Sequence, residues 1–207
     1  MKTTGGFTGM GHGLSESLTV RDAAPAMEGV QQEGLSRIEM AGELAEALEN
    51  IDGLKIENWE KMTLDERVDT LQQVENTAAS LGGRAPLRIV AEDMGGYNAA
   101  GIITNGEMRW HTGQIAINEC HLKDGTMASL RQCTQTLVHE GRHAYQFSNL
   151  YVRRTEPDTA LYASWKHNLD TGYKTSGLYG FEIYARQPIE ADASAFASEA
   201  CARVTHR

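Results

Sequence analysis

Cysteine is scarce in this sequence: three residues in 207, Cys120, Cys133 and Cys201, an odd count with no C-x-x-C pair. A disulfide framework is therefore not expected, and the three read as free thiols packed like small hydrophobes. No apolar run is long enough to span a membrane. The opening MKTTGGFTGMGHG holds one lysine and no apolar stretch, so it does not read as a secretory signal. Positive charge is also in short supply, with 19 Lys and Arg against 28 Asp and Glu, a net charge of −9. That balance argues against nucleic acid or an anionic membrane as the main partner, and no block of like charge forms an interaction tail. Gly11-His-Gly13 and the other glycine clusters lack a following Lys-Ser/Thr, which removes a phosphate loop. What is left is a soluble chain, cytoplasmic or exported by a route independent of a signal peptide. It is long enough to bury an ordinary core without metal or crosslinks.

Residues 1–32 are rich in Gly, Ser and Thr without sustained apolar periodicity, and read as a flexible lead-in or linker; residues 33–207 read as one domain. Leu35, Ile38, Leu44 and Leu48 suggest an amphipathic helix interrupted or weakened at Gly42. Thr63-Leu-Asp-Glu66 fits a capping box, and Leu64, Val68, Leu71, Val74 and Ala78 continue as a helical stripe until Gly82-Gly83. Three short strands are expected next, at residues 87–91, 101–104 and 114–118. Turn signals at Gly95-Gly96, Asn105-Gly106 and Thr112-Gly113 separate them, with Asn105-Gly106 as a hairpin turn. A long helix opens at Asp124-Gly-Thr126 and runs to about Val152. An irregular stretch follows over 153–180, with a short helix near Leu161. The last helix runs from Ile189 to about Val204 behind Pro188.

Chemistry concentrates in Thr136-Leu-Val-His139-Glu140-Gly-Arg-His143-Ala-Tyr-Gln146. Two histidines four apart on a helix lie on one face a turn apart, so their ring nitrogens can converge on one ion. Glu140 between them stands where a general base serves a zinc-activated water. The bland alternative is a helix with two satisfied histidines and a surface glutamate. A catalytic zinc takes three protein ligands and keeps a position for water. The last helix, Gln187-Pro-Ile-Glu190-Ala-Asp192-Ala-Ser194-Ala-Phe196-Ala197, offers two candidates for the third: Glu190 in its first turn, favoured by the helix dipole, and Asp192.

These two segments together resemble the gluzincin group of zincin-fold metallopeptidases, in which H-E-x-x-H is completed by a Glu opening a later helix in strings like E-x-x-A-D-x-F-A. Glu190, Ala193, Ser194, Phe196 and Ala197 stand at the matching places. The resemblance covers roughly residues 114–200 and implies an α+β, zincin-like fold: a small sheet, an active helix, and a later helix carrying the third ligand. It assigns one catalytic Zn2+ to His139, His143 and Glu190, with Glu140 as base. Ser194 occupies a position usually held by Asp, which in those families orients a ligand histidine; serine could accept the same hydrogen bond without the charge. Ile115-Ala-Ile-Asn118 matches the edge strand that receives extended substrate. More loosely, the Glu66-Arg67 pair, the I-x-I-N strand and H-E-x-R-H-A-Y-Q are similar to metallopeptidase domains of bacterial polymorphic toxins and secreted effectors. That likeness implies a protein or peptide substrate and a cognate immunity or inhibitor protein. Tyr184 is the first candidate to steady the oxyanion, with Tyr179 and Tyr173 behind it. Arg142 reads as a surface or substrate-side ion pair. His111, His121, His167 and His206 have no ligand-spaced partner and take ordinary roles, and His12 sits in the Gly-rich lead-in, read as disordered rather than as an inhibitory segment reaching the metal.

Two rivals share these residues. One is a zincin-fold effector that binds its target without cutting it, a reading to which Ser194 lends some support. The other is a zinc amidase acting on a non-protein substrate.

Overall fold

Ser36 and Thr63 each open a helix through a complete capping box, with Glu39 and Glu66 reaching back to the cap amides. The computed structural model describes residues 34–97, 101 and 103–206. The lead-in expected over 1–32, His12 included, lies outside the described residues. Helix α1 (Arg37–Glu49) runs through Gly42 without a break, contrary to expectation. Its buried face of Met40, Ala41, Leu44, Ala45 and Leu48 outweighs the roughly 1 kcal/mol that a mid-helix glycine costs. A single turn, α2 (Ile56–Trp59), leads to α3 (Leu64–Leu81). The stripe expected on α3 is only half right. Leu71 and Val74 are buried, but their neighbours on that face are Arg67, Thr70 and Glu75, while Leu64, Val68 and Ala78 are half-covered. Arg67 is buried because it donates to the carbonyls of Trp59 (3.1 Å) and Leu122 (2.6 Å), and it stacks over the Trp59 ring.

The sheet is small and mixed. Strand β1 (Arg88–Glu92) pairs in parallel with β3 (Gln114–Asn118), and β2 (Gly106–Arg109) pairs antiparallel on the other side of β3. The strand expected at 101–104 is thus displaced to 106–109, and Asn105-Gly106 is not a turn. Gly106 is needed for close approach instead: a Cβ there would lie 2.6 Å from Thr136 Cγ2 and 2.9 Å from the Ala116 carbonyl. The β2–β3 turn is made by Trp110–Thr112, closed by Gly113 at φ 66°. Ile115 to Asn118 are buried on both faces, so β3 is the central strand and not the edge strand expected. The edge positions belong to β1 and β2.

After α4 (Glu119–Lys123) comes α5 (Met127–Tyr151), capped by Thr126, 25 residues and so about 37 Å long. The segment expected to be irregular holds a 12-residue helix, α6 (Thr159–Asp170), then the short turns α7 (Ser176–Tyr179) and α8 (Phe181–Ala185). Helix α9 (Pro188–Cys201) starts on its proline, as expected. It packs along α5 and α1, with Ile189, Ala193, Phe196, Ala197 and Ala200 buried. The fold is therefore α+β and mostly helical. Among the described residues, no helix is long and apolar enough to cross a membrane.

The chain's end returns to the start of the domain. The His206 carbonyl accepts from the Ile56 amide (3.0 Å), and its buried ring donates from Nδ1 to the Leu54 carbonyl (2.9 Å) at a backbone φ of 55°. Burial holds the imidazole below its ordinary value, only partly offset by that carbonyl. A histidine lowered in the folded state contributes stability above its unfolded value, and loses it as pH falls through the folded one. His206→Asn keeps a donor and tolerates positive φ. The Tm advantage of wild type over this variant should shrink between about pH 7.5 and about pH 5, and a constant gap would show that His206 does not titrate with folding.

Candidate metal centre

Helix periodicity places His139 and His143 one turn apart on α5, with ring centroids 4.7 Å apart and planes at 87°. Their Nε2 atoms stand 3.1 Å from each other. Glu190, in the first turn of α9, brings Oε2 to 3.5 Å from His139 Nε2 and 3.4 Å from His143 Nε2. Among the described residues these three form the group whose ligand atoms all lie within 4.8 Å of one another.

The surroundings favour positive charge at this point. Burial alone would push the His143 imidazolium down, but the Glu190 carboxylate, with Glu140 and the Gln146 oxygen, holds it up at about 9. Burial likewise opposes ionised Glu190, yet His139, His143 and Tyr173 keep its carboxyl well below the usual range. Two imidazoles and one carboxylate are a donor set that suits a borderline divalent cation, and the local field suits it too.

Glu140 follows His139 into the same space. Its Oε2 accepts the Met108 amide of β2 at 2.9 Å, so the carboxylate stands between the ligand group and the sheet's free edge. Gly141 makes room behind it: a Cβ there would come 3.2 Å from Glu75 Oε2 and 3.4 Å from Arg84 Nη2. Glu75 and Arg84 form a buried pair (2.6 and 2.9 Å); Glu75 also receives the Leu87 amide, and Arg84 donates to the Gly141 carbonyl. Helix α5 is thereby fixed to α3 and to the chain entering β1 at the level of the motif.

Arg142 overturns the surface reading. Its side chain is fully buried and donates to Asp192 from Nε (2.9 Å) and Nη2 (3.3 Å), with Glu156 at 3.5 Å. The guanidinium lies over the rings of Tyr145, Trp165 and Phe196. Asp192, the rival third ligand, is occupied by Arg142 and by Gln146 Nε2 (2.8 Å), and it stands outside the ligand group. Ser194 is exposed on the cavity wall and, among the described residues, bonds no histidine. The bond expected of it is made by Gln146, whose Oε1 faces His143 Nδ1 at 2.8 Å.

The tyrosines also rearrange. Tyr173 donates to Glu190 Oε1 at 2.5 Å, leaving Oε2 toward the histidines. Its loop is held by Gln187, which accepts the Lys174 amide and donates to the Lys174 carbonyl. Tyr184 packs edge-on against Tyr173, 6.1 Å between centroids, and lines the cavity; burial, then the Glu190 charge, raises its hydroxyl well above the ordinary value. Tyr179 is half-exposed beside Lys174 and lines no part of that cavity.

The cavity holds about 540 Å³. His139, Glu140 and Glu190 line it together with Gly106, Thr136, Phe181, Tyr184 and Ser194. Gln146 and Tyr173 were not anticipated in the roles they hold. Gln146 carried a signal, since it lies three residues past His143 and so on the same helix face. Tyr173, 17 residues before Glu190, carried none. Compared with protein-family models, curated proteins and solved structures, the chain matches none of them.

Proposed function

We propose that this chain is a zinc-dependent metallopeptidase of zincin-like architecture, acting on protein or peptide substrates. The observation that carries the reading is the convergence of His139, His143 and Glu190 at the wall of a cavity that His139, Glu190 and Glu140 line. His139, His143 and Glu190 would hold the zinc. When bound, zinc supplies Lewis acidity, which acidifies water and polarises the scissile carbonyl. Glu140 takes the proton of the attacking water and passes it to the leaving nitrogen. The Met108 amide occupies Glu140 Oε2 and leaves Oε1 for that proton. Tyr184, which lines the same cavity, donates to the developing oxyanion. Substrate backbone lies along the outer edge of β2, the strand that ends the sheet on this side. The secreted-effector reading, with its inhibitor protein, rests on the sequence likeness around H-E-x-R-H-A-Y-Q.

Metal content of the full chain, measured on wild type, Glu190→Ala and Asp192→Asn, tests the centre. Wild type should carry about one zinc per chain, Glu190→Ala should lose most of it, and folded Asp192→Asn should keep it while melting earlier. Wild type without zinc even after reconstitution would sink the proposal, and the binding-only reading would replace it.

A further inference from the structure

We infer that Gln146 is a positioning residue for the metal centre: it compels His143 to carry its hydrogen on Nδ1 and so to offer Nε2 to the cation. The inference rests on the metal-centre reading above and extends it to the residue that aims one ligand. Gln146 is fully buried, and its amide has only one workable orientation. Nε2 lies 2.9 Å from the Ile189 carbonyl and 2.8 Å from Asp192 Oδ2, and both of these are acceptors only. Turning the amide over would set its oxygen against two oxygens in the interior. Arg142 donates to both Asp192 oxygens and holds that side chain in place. With Nε2 so committed, Oε1 is what faces His143 Nδ1 at 2.8 Å, and an oxygen acceptor there requires a hydrogen on Nδ1.

The chain Arg142–Asp192–Gln146–His143 thus carries orientation from a buried ion pair to the ligand ring. Three of its four members lie within five residues of α5, and the fourth comes from α9. His139 has no such partner on Nδ1 among the described residues, and its side chain is 21% exposed against 11% for His143. His143 is the anchored ligand of the pair, and His139 the one free to adjust.

Two measurements on the zinc-loaded full chain test this. In folded Gln146→Met, which matches the glutamine in length but donates nothing and accepts only weakly through sulfur, zinc affinity by chelator competition should fall about 10- to 100-fold. In wild type, the His143 Nδ1 proton should appear by nitrogen-edited NMR as a slowly exchanging signal, and it should move in Gln146→Glu, which changes the acceptor's charge and keeps the Met result from being the sole evidence. If Gln146 only fastened α5 to α9, Gln146→Met would lower Tm while the folded protein bound zinc as wild type does. Unchanged affinity in Gln146→Met, or a His143 signal unmoved in Gln146→Glu, overturns the inference and leaves the metal centre standing. Failure of wild type to bind zinc would instead remove the centre itself.

Discussion

Glu140→Gln should yield a folded, zinc-loaded protein that cleaves peptide about 10² to 10⁴ times more slowly than wild type, the range that general acid–base catalysis supplies. In barrier terms that is about 3 to 5 kcal/mol. The geometry says why the fold should survive. Glutamine is nearly isosteric, its carbonyl can accept the Met108 amide that Glu140 now holds at 2.9 Å, and Glu140 is only half-buried. Zinc should also stay, because Glu140 is not among the three converging residues. What disappears is a side chain able to take a proton from water. Turnover of a peptide library at matched zinc content is the measurement, and near-native rates in the variant would exclude Glu140 as the base.

The second large effect concerns folding. Arg142→Met should lower stability by about 3 to 5 kcal/mol, because it strands Asp192 and Glu156 in the interior without their cation. For a domain of this size that corresponds to a Tm lower by roughly 6 to 20 °C. Burial already raises the Glu156 carboxyl, and Arg142 is among the groups that hold it down. Losing the guanidinium also leaves the Tyr145, Trp165 and Phe196 rings packed around a side chain with no charge to offer them. Arg142→Lys should fall between the two, since it restores charge without the fork that meets Asp192 at two atoms. Thermal melts decide it: a methionine variant melting within a few degrees of wild type would show that the buried cation is dispensable.

Much of this architecture was legible because the signals are local. The Thr63 capping box, the Thr126 start of α5 and Pro188 at the head of α9 are short-range chemistry, readable without a fold. His139 and His143 follow from helical spacing alone. What was not legible depends on distant neighbours. Arg142 looks exposed in a list of letters, and only the approach of α9 supplies Asp192 and Phe196, while α6 adds Trp165. Asn105-Gly106 has the composition of a turn, yet the glycine is there because Thr136 and the Ala116 carbonyl crowd it. The role of Ser194 was misplaced for the same reason: orientation of His143 comes from the same helix through Gln146, where a comparison of matching positions does not look. Tyr173 reaches Glu190 from a loop whose path no periodicity describes.

From Thr136 to Gln146 no residue of α5 is exposed; nine of these eleven are buried and two, His139 and Glu140, half-buried. The segment therefore answers to two kinds of selection at once. Gly141, Arg142 and Gln146 would be retained by any lineage that needed only a stable domain, because Glu75, Asp192 and the Ile189 carbonyl demand them. Glu140 has no comparable claim from packing, since glutamine would satisfy the Met108 amide equally well. Of the letters that make this stretch recognisable, Gly141, Arg142 and Gln146 are witnesses to the scaffold, whereas the persistence of Glu140 beside the two histidines would testify to the proposed chemistry.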